Sequence, residues 1–214
     1  DLAPWVCKSP DIQKLSLLNA ERRHRVKIRS GLSRQMKDLE FLKHHTDQDI
    51  LKLNQEMILL IDKQIKSIEK KIVEIIECNE ILKDQYERIQ TIPGVGKVLA
   101  SLLLVKTNGF TEIQSARKMA CYSGVVPFEH RSGSSIYYKP RVSTMADKEL
   151  KKILHLAALS SIRLKNDLAV YYQRKVLEGK NKMSVLNAIR NKIIHRVYAI
   201  IKNNSVYENR LHMS

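Results

Sequence analysis

Between Ile50 and Leu82 apolar side chains return at steps of three and four: Ile50, Leu53, Met57, Ile61, Ile65, Ile68, Ile72, Ile75, then Asn79 and Leu82. A strand alternates every second residue, so a period near 3.5 held over this span requires a long α-helix with one apolar seam. The two consecutive steps of four from Met57 through Ile61 to Ile65 read as a stutter that locally unwinds a supercoil. Asn79 on the seam is the kind of polar residue that fixes register or partner number. A helix from about Asp47 to Arg88 with such a seam needs a partner, and the preceding residues supply one. Pro4, Ser9 and Pro10 punctuate the start, and Asp11 can cap a helix running toward His44. Its polar face carries Arg22, Arg23, Arg25, Lys27, Arg29 and Arg34. Thr46 and Asp49 then form a capping signal for the second helix. Two long helices joined near residue 45 read as an antiparallel hairpin, packed on each other or also on a second subunit. The sustained heptads favour a homo-oligomer assembled through this coiled coil.

Composition bears the reading out over the whole length. Glycine and proline are few, at seven and five, and concentrate near residues 93–96, 124–140 and at the very start, and the remainder is rich in Leu, Ile, Lys and Glu. The chain therefore reads as all-α: a basic helix and coiled-coil hairpin over residues 1–88, followed by a compact helical domain over 89–214. Lys and Arg number 38 against 22 Asp and Glu, for a net charge of +16. Clustered cations release counterions from phosphate, so DNA or RNA is the leading partner. No apolar run approaches the length of a membrane span. Cys7, Cys78 and Cys121 form no CxxC and have no histidine pair at metal spacing, so idle thiols in a reducing cytoplasm are expected and no metal in this chain. The chain starts at Asp1 with no secretory segment after it, as expected of a piece whose beginning is missing.

From Ile89 the texture changes. Ile92-Pro93-Gly94-Val95-Gly96-Lys97 is a tight glycine turn between helices, and an apolar helix follows from Val98 to Val105. In this helix-hairpin-helix pattern Gly94 and Gly96 would let the backbone approach a phosphate. The helix start at Lys97 would offer unpaired N–H groups to the anion. The turn could equally serve only as a connector. It is not a P-loop, whose glycine and lysine spacing is absent. Ser115 to Tyr122 reads as a short helix ended by Gly124. Residues 124–145 are the longest non-helical stretch, with an alternation at Ile136-Tyr137-Tyr138 that could make a short hairpin. A helix from Ala146 to about Val176 would bury Leu150, Ile153, Leu154, Ala157, Ala158, Ser161 and Leu164. After Gly179 a last helix, from about Met183 to Asn203, carries the stripe Val185, Ile189, Ile193, Val197 and Ile200. Arg196 projects within that stripe, either snorkelling at the core edge or held toward an anionic site. The tail from Val206 reads as frayed.

The acidic residues are spread among lysines on the long helices and give no convergent set for a two-metal centre. What remains is the hydroxyl-rich loop. Ser132, Ser134 and Ser135 lie among Arg131, Lys139 and Arg141, and Lys148, Lys151 and Lys152 open the next helix. A serine attacking a phosphodiester needs cations to stabilise the transition-state charge and a group to take its proton. The pattern supplies the cations and names no base; by itself it also reads as a flexible turn.

Four segments, taken in order, carry a resemblance: Ile89-Gln90-Thr91-Ile92-Pro93-Gly94-Val95-Gly96, Tyr122-Ser123-Gly124-Val125-Val126-Pro127, Ser132-Gly133, and Leu150-Lys151-Lys152-Ile153-Leu154-His155-Leu156-Ala157-Ala158. Together they resemble the C-terminal transposase domain of the insertion-sequence 110 family, the DEDD transposases described as bridge-RNA-guided recombinases. The resemblance covers about residues 89–203, and the basic helix and coiled coil before it are similar to that family's central region. It implies that Ser132, at the serine of the family's Ser-Gly motif, attacks DNA and forms a transient phosphoserine link. It implies a separate N-terminal RuvC-like domain whose four carboxylates bind magnesium, forming a composite site across subunits. It also implies a structured guide RNA that pairs with donor and target DNA. That carboxylate domain is expected ahead of Asp1, so the chain alone is expected to lack metal and strand-cleaving activity. Where the family often has Lys, then Gly-Asn, then Leu-Arg, this sequence has Thr144, Ala146-Asp147 and Leu150-Lys151. Lys151 keeps the charge and loses the bidentate fork. The expected function is DNA transposition or site-specific recombination in a bacterial cytoplasm, at the nucleoid. The alternative is a non-catalytic nucleic-acid-binding and oligomerisation fragment of a truncated or decayed transposase.

Overall fold

A computed structural model describes residues 8–41, 48–132 and 136–209, with the backbone alone for the two strands between 128 and 141. The elements are α1 (Pro10–Phe41), α2 (Gln48–Glu77), α3 (Glu80–Gln90), α4 (Lys97–Thr107), α5 (Ala116–Tyr122), β1 (Phe128–Ser132), β2 (Ile136–Arg141), α6 (Lys148–Ser161), α7 (Asp167–Leu177) and α8 (Lys182–Asn203). The fold is all-α as expected, with one antiparallel two-stranded ribbon set among the helices. The chain divides into two compact units between Glu80 and Ile81.

In the first unit α1 packs on α2 as an antiparallel hairpin. Arg22 Nε donates to Glu69 at 2.7 Å, Arg25 Nε to Gln64 at 2.9 Å, and Arg29 pairs with Asp62. Partner numbers on α2 fall as those on α1 rise, which fixes the direction. Ile12 and Leu15 on α1 are buried, as are Ile61, Ile65, Ile72 and Ile76 on α2. The N-terminal part of the seam is not covered: Ile50, Leu53 and Met57 are all exposed. Ser9, and not Asp11, caps α1, its Oγ accepting from the Ile12 N–H at 3.3 Å, with Pro10 at the first helical position where no amide is needed. The expected single helix from 47 to 88 is broken after Glu77, because Asn79 stands directly before α3 and turns its side chain to Asp11 at 3.1 Å. Asparagine competes with the helical backbone and favours helix starts, so on this seam it ends one helix and ties it to α1. His44, His45 and Thr46 lie outside the described residues.

The second unit is built around two helices with different jobs. In α4 Leu99 to Val105 are all buried, so this helix is apolar on every side. Helix α8 is amphipathic, and α5, α6 and α7 pack on it. Its stripe Val185, Ile189, Ile193, Val197 and Ile200 is buried in full, each fully covered aliphatic contributing on the order of 1.5–3 kcal/mol. The helix expected from 146 to 176 is two helices. Asn166 Oδ1 accepts from the Leu168 and Ala169 amides, and its Nδ2 donates to the Ser161 carbonyl at 2.7 Å. One buried side chain thus stops α6 and starts α7. Of the expected α6 core, Leu150, Leu154, Ala157, Ala158 and Ser161 are buried, whereas Leu164 falls in the break and is exposed. The tail is tied down as far as Asn209. Tyr207 donates its amide to Thr91 Oγ1 at 2.9 Å, and Asn209 Nδ2 reaches the Lys165 carbonyl at 3.3 Å.

Candidate nucleic-acid interface and serine hairpin

The glycine turn is held against α6. A Cβ on Gly94 would stand 2.5 Å from the Ala157 carbonyl oxygen and 2.6 Å from the Ser161 nitrogen, and φ is +88°. The close approach that this glycine allows is therefore an approach to α6. Gly96 differs: nothing lies within 4 Å of a Cβ there, its backbone is extended, and no side chain caps α4. Gly96 and Lys97 are exposed, so the first amides of α4 face solvent beside a lysine. Of the turn, this edge is the part that an anion can reach.

The ribbon lies between α5 and α6. Its register places Phe128 opposite Arg141, His130 opposite Tyr138, Arg131 opposite Tyr137 and Ser132 opposite Ile136, with an irregularity between Phe128 and His130. Ser132 is thus the last residue of β1 and sits next to the connection, as the sequence alternation allowed. Arg131 is beside it on β1, and Lys139 and Arg141 are on β2. Residues 133–135, including Ser134 and Ser135, lie outside the described residues. Gly124 anchors the ribbon's entry. With φ at +66°, a Cβ there would stand 2.7 Å from Ala146 Cβ and 2.9 Å from Val142 Cγ1, so entry and exit strands touch across a glycine.

The ribbon's exit is fixed by Asp147. Its Oδ1 accepts from the Leu150 amide at 2.8 Å, capping α6, while Lys106 Nζ lies 2.7 Å from Oδ2 and Tyr122 Oη donates to Oδ2 at 3.2 Å. Burial pushes the Asp147 carboxyl up, but the Leu150 amide and Lys106 outweigh it and hold the group below the usual carboxylate range. Aspartate is a strong N-cap, and here the cap also carries an ion pair with Lys106. Behind this cap, Lys148 and Lys152 are exposed and Lys151 is half-buried, one turn of α6 presenting all three near the ribbon's base.

Arg196 does not point freely outward. Its guanidinium is paired with Asp167 through both nitrogens and lies over the Tyr207 ring at 5.3 Å. Tyr207 also donates to Asp167, and burial together with that bond pushes its hydroxyl up to about 12. This trio lines a cavity of about 540 Å³ with Lys192, His195 and Asn203. Among the described residues no group of His, Cys, Asp or Glu could hold a metal ion, and none of the helices is long and apolar enough to cross a membrane. The pattern of residues did not single out Asp147 with Lys106, or Asp167 with Tyr207. The Asp147 cap was open to a sequence reading, as an acidic residue just ahead of an apolar-periodic segment.

Residues 86–173, which include the glycine turn, the ribbon and the Asp147-capped helix, match the family described as Transposase IS116/IS110/IS902. Over these residues the chain is similar to that transposase family. Relatives extend the likeness along the chain. The pilin gene-inverting protein of Moraxella bovis is 28% identical over 210 residues, covering 97% of this chain and 63% of the relative. An uncharacterized 43.6 kDa protein of insertion element IS110 from Streptomyces coelicolor is 28% identical over 125 residues, covering 58% of this chain and 30% of the relative. A transposase for insertion sequence element IS1111A from Coxiella burnetii is 22% identical over 149 residues, covering 68% and 40%. The chain thus spans 63% of the length of the Moraxella relative it matches along nearly its whole extent. The transposase match begins at Tyr86 in α3, within the second compact unit.

Proposed function

We propose that this chain is the serine-bearing part of a DNA transposase or recombinase, with Ser132 as the nucleophile. The observation that carries the reading is coincidence in one stretch. The family match holds the exposed α4 start, the ribbon that ends β1 on Ser132, and the lysine turn of α6 together. The Moraxella relatives are named for inverting a pilin gene, and inversion and transposition both break and rejoin DNA phosphodiesters. In the proposed step the Ser132 oxygen bonds to the scissile phosphorus, the deoxyribose oxygen leaves and takes a proton, and the serine proton passes to a base. Rejoining reverses it. Arg131, Lys139, Arg141, Lys148, Lys151 and Lys152 supply positive charge for the phosphate, and Gly96 and Lys97 offer the α4 amides to the backbone. Magnesium, where it acts, belongs to carboxylates outside this chain, and no step here is drawn through it. A structured RNA is included as a partner on the family resemblance. A second copy is included on the uncovered Ile50, Leu53 and Met57 of α2.

The test is a recombination assay on the complete gene product. Ser132→Ala abolishes recombination and keeps nucleic-acid binding, while Ser134→Ala and Ser135→Ala retain activity. Recombination at the normal rate by Ser132→Ala removes the assignment.

A further inference from the structure

The second unit holds a buried cation that no described residue neutralises. Arg190 lies in the apolar heart of α8, between Ile189 and Ile193, and is only 7% exposed. Its Nε is sealed from solvent and has no hydrogen-bond partner, and no carboxylate pairs with it among the described residues. A guanidinium keeps its charge at any physiological pH, so burying one without a counter-charge is costly and is seldom left uncompensated. On the facing helix α6, His155 leaves its buried Nδ1 equally unmatched. Burial first, and the Arg190 charge second, hold this imidazole below its ordinary value.

Their location gives the unmatched pair a use. Asn187, one turn before Arg190, donates Nδ2 to the Val125 carbonyl at 2.9 Å. Lys151, one turn before His155, brings its Cδ within 3.7 Å of where a Cβ on Gly124 would stand. Gly124 and Val125 are the residues that lead into β1 and Ser132. Helices α6 and α8 thus both contact the segment that leads into the ribbon, and His155 and Arg190 stand one turn further along them.

We propose that Arg190 and His155 form an anion slot at the root of the serine ribbon that receives a phosphate of a nucleic-acid backbone. The slot rests on the reading of the chain as a nucleic-acid enzyme and adds to it a positioning site. A phosphate seated there supplies the missing counter-charge and fixes the strand relative to β1. A phosphate is the fitting anion because Lys148, Lys151 and Lys152 continue the positive surface along α6 from the same root. An acidic protein surface would be read by the same guanidinium, and the experiment separates the two.

Binding of a labelled random-sequence DNA duplex is measured across a salt series for the full chain, for Arg190→Met, Arg190→Lys and His155→Gln. Thermal melting is recorded with and without inorganic pyrophosphate. Salt-dependent binding by the unsubstituted chain tests the nucleic-acid reading; the difference made by Arg190 tests the slot. The slot predicts that Arg190→Met loses about 0.9 from the slope of log affinity against log salt, the share of one phosphate. Arg190→Lys keeps the slope, and His155→Gln weakens binding less than Arg190→Met does. Pyrophosphate raises the melting temperature of the unsubstituted chain and leaves that of Arg190→Met unmoved. In buffer alone Arg190→Met melts at the same temperature or higher, since it removes an uncompensated charge. An unchanged slope with a lowered melting temperature makes Arg190 a packing residue and overturns the proposal. Lost self-association with unchanged DNA binding assigns it to an acidic protein surface and overturns it equally.

Discussion

Helices α2 and α8 carry apolar stripes of similar regularity, and their fates differ. Every stripe position of α8 is covered by its own chain, from Val185 to Ile200. In α2 cover begins at Ile61, and Ile50, Leu53 and Met57 meet solvent at 46%, 65% and 52% exposure. The cause lies in the neighbours. Around α8 stand α5, α6 and α7, whereas α2 has α1, whose buried apolar residues Ile12 and Leu15 sit near its start, opposite the later turns of α2. Periodicity reports that a helix has an apolar face; what covers the face depends on the chain's other segments. The second unit covers the stripe of α8, and the hairpin leaves the first turns of the α2 stripe exposed.

That contrast is open to attack at several points, the strongest being in the two cores. Ile189→Ala removes a wholly buried side chain and should cost about 2–5 kcal/mol in urea unfolding. Leu53→Ala should cost less than about 0.5 kcal/mol in dilute protein. A cost at Leu53 that grows with protein concentration would sharpen the comparison by showing a second copy on the hairpin. The glycine turn offers the next largest effect. Gly94→Ala forces a Cβ into the α6 backbone at a positive φ and should destabilise the second unit by about 1–3 kcal/mol. Gly96→Ala meets open space and should stay within about 0.5 kcal/mol, while weakening nucleic-acid binding if the α4 amides contact phosphate.

Asp147→Ala gives a smaller effect with a pH signature. Loss of the α6 cap and of the Lys106 pair should cost about 1–2 kcal/mol at neutral pH. The folded carboxyl titrates below its ordinary value of 3.8, so its contribution is complete above that value and disappears as pH falls through the folded one. Unfolding curves of the two proteins should therefore converge in acid. A gap that persists at the lowest pH would mean that the cap acts through packing and not through its charge.

Much of the architecture was legible because it rests on local periodicity and scarce breakers. The hairpin, the apolar α4, the α8 stripe and the short ribbon around Ile136 all follow from spacing. The two helix breaks did not, although Asn79 and Asn166 were in plain view. Each lies in a segment whose apolar pattern continues past it, and only the side chain's hydrogen bonds reveal that it ends a helix. Charge was less legible than shape. Arg196 stood out beside an apolar stripe, yet Asp167, distant in sequence, neutralises it. Arg190 lies within its stripe, and its buried Nε has no hydrogen-bond partner among the described residues. Whether a buried charge is matched depends on the facing helix, which spacing along one helix cannot report.

The most direct test of the central claim is to trap the complete gene product on DNA and map the covalent link by mass spectrometry of the denatured adduct. The account predicts a phosphodiester on Ser132, absent in Ser132→Ala and present in Ser134→Ala and Ser135→Ala. An adduct that persists in Ser132→Ala, or one mapped to another residue, would contradict it.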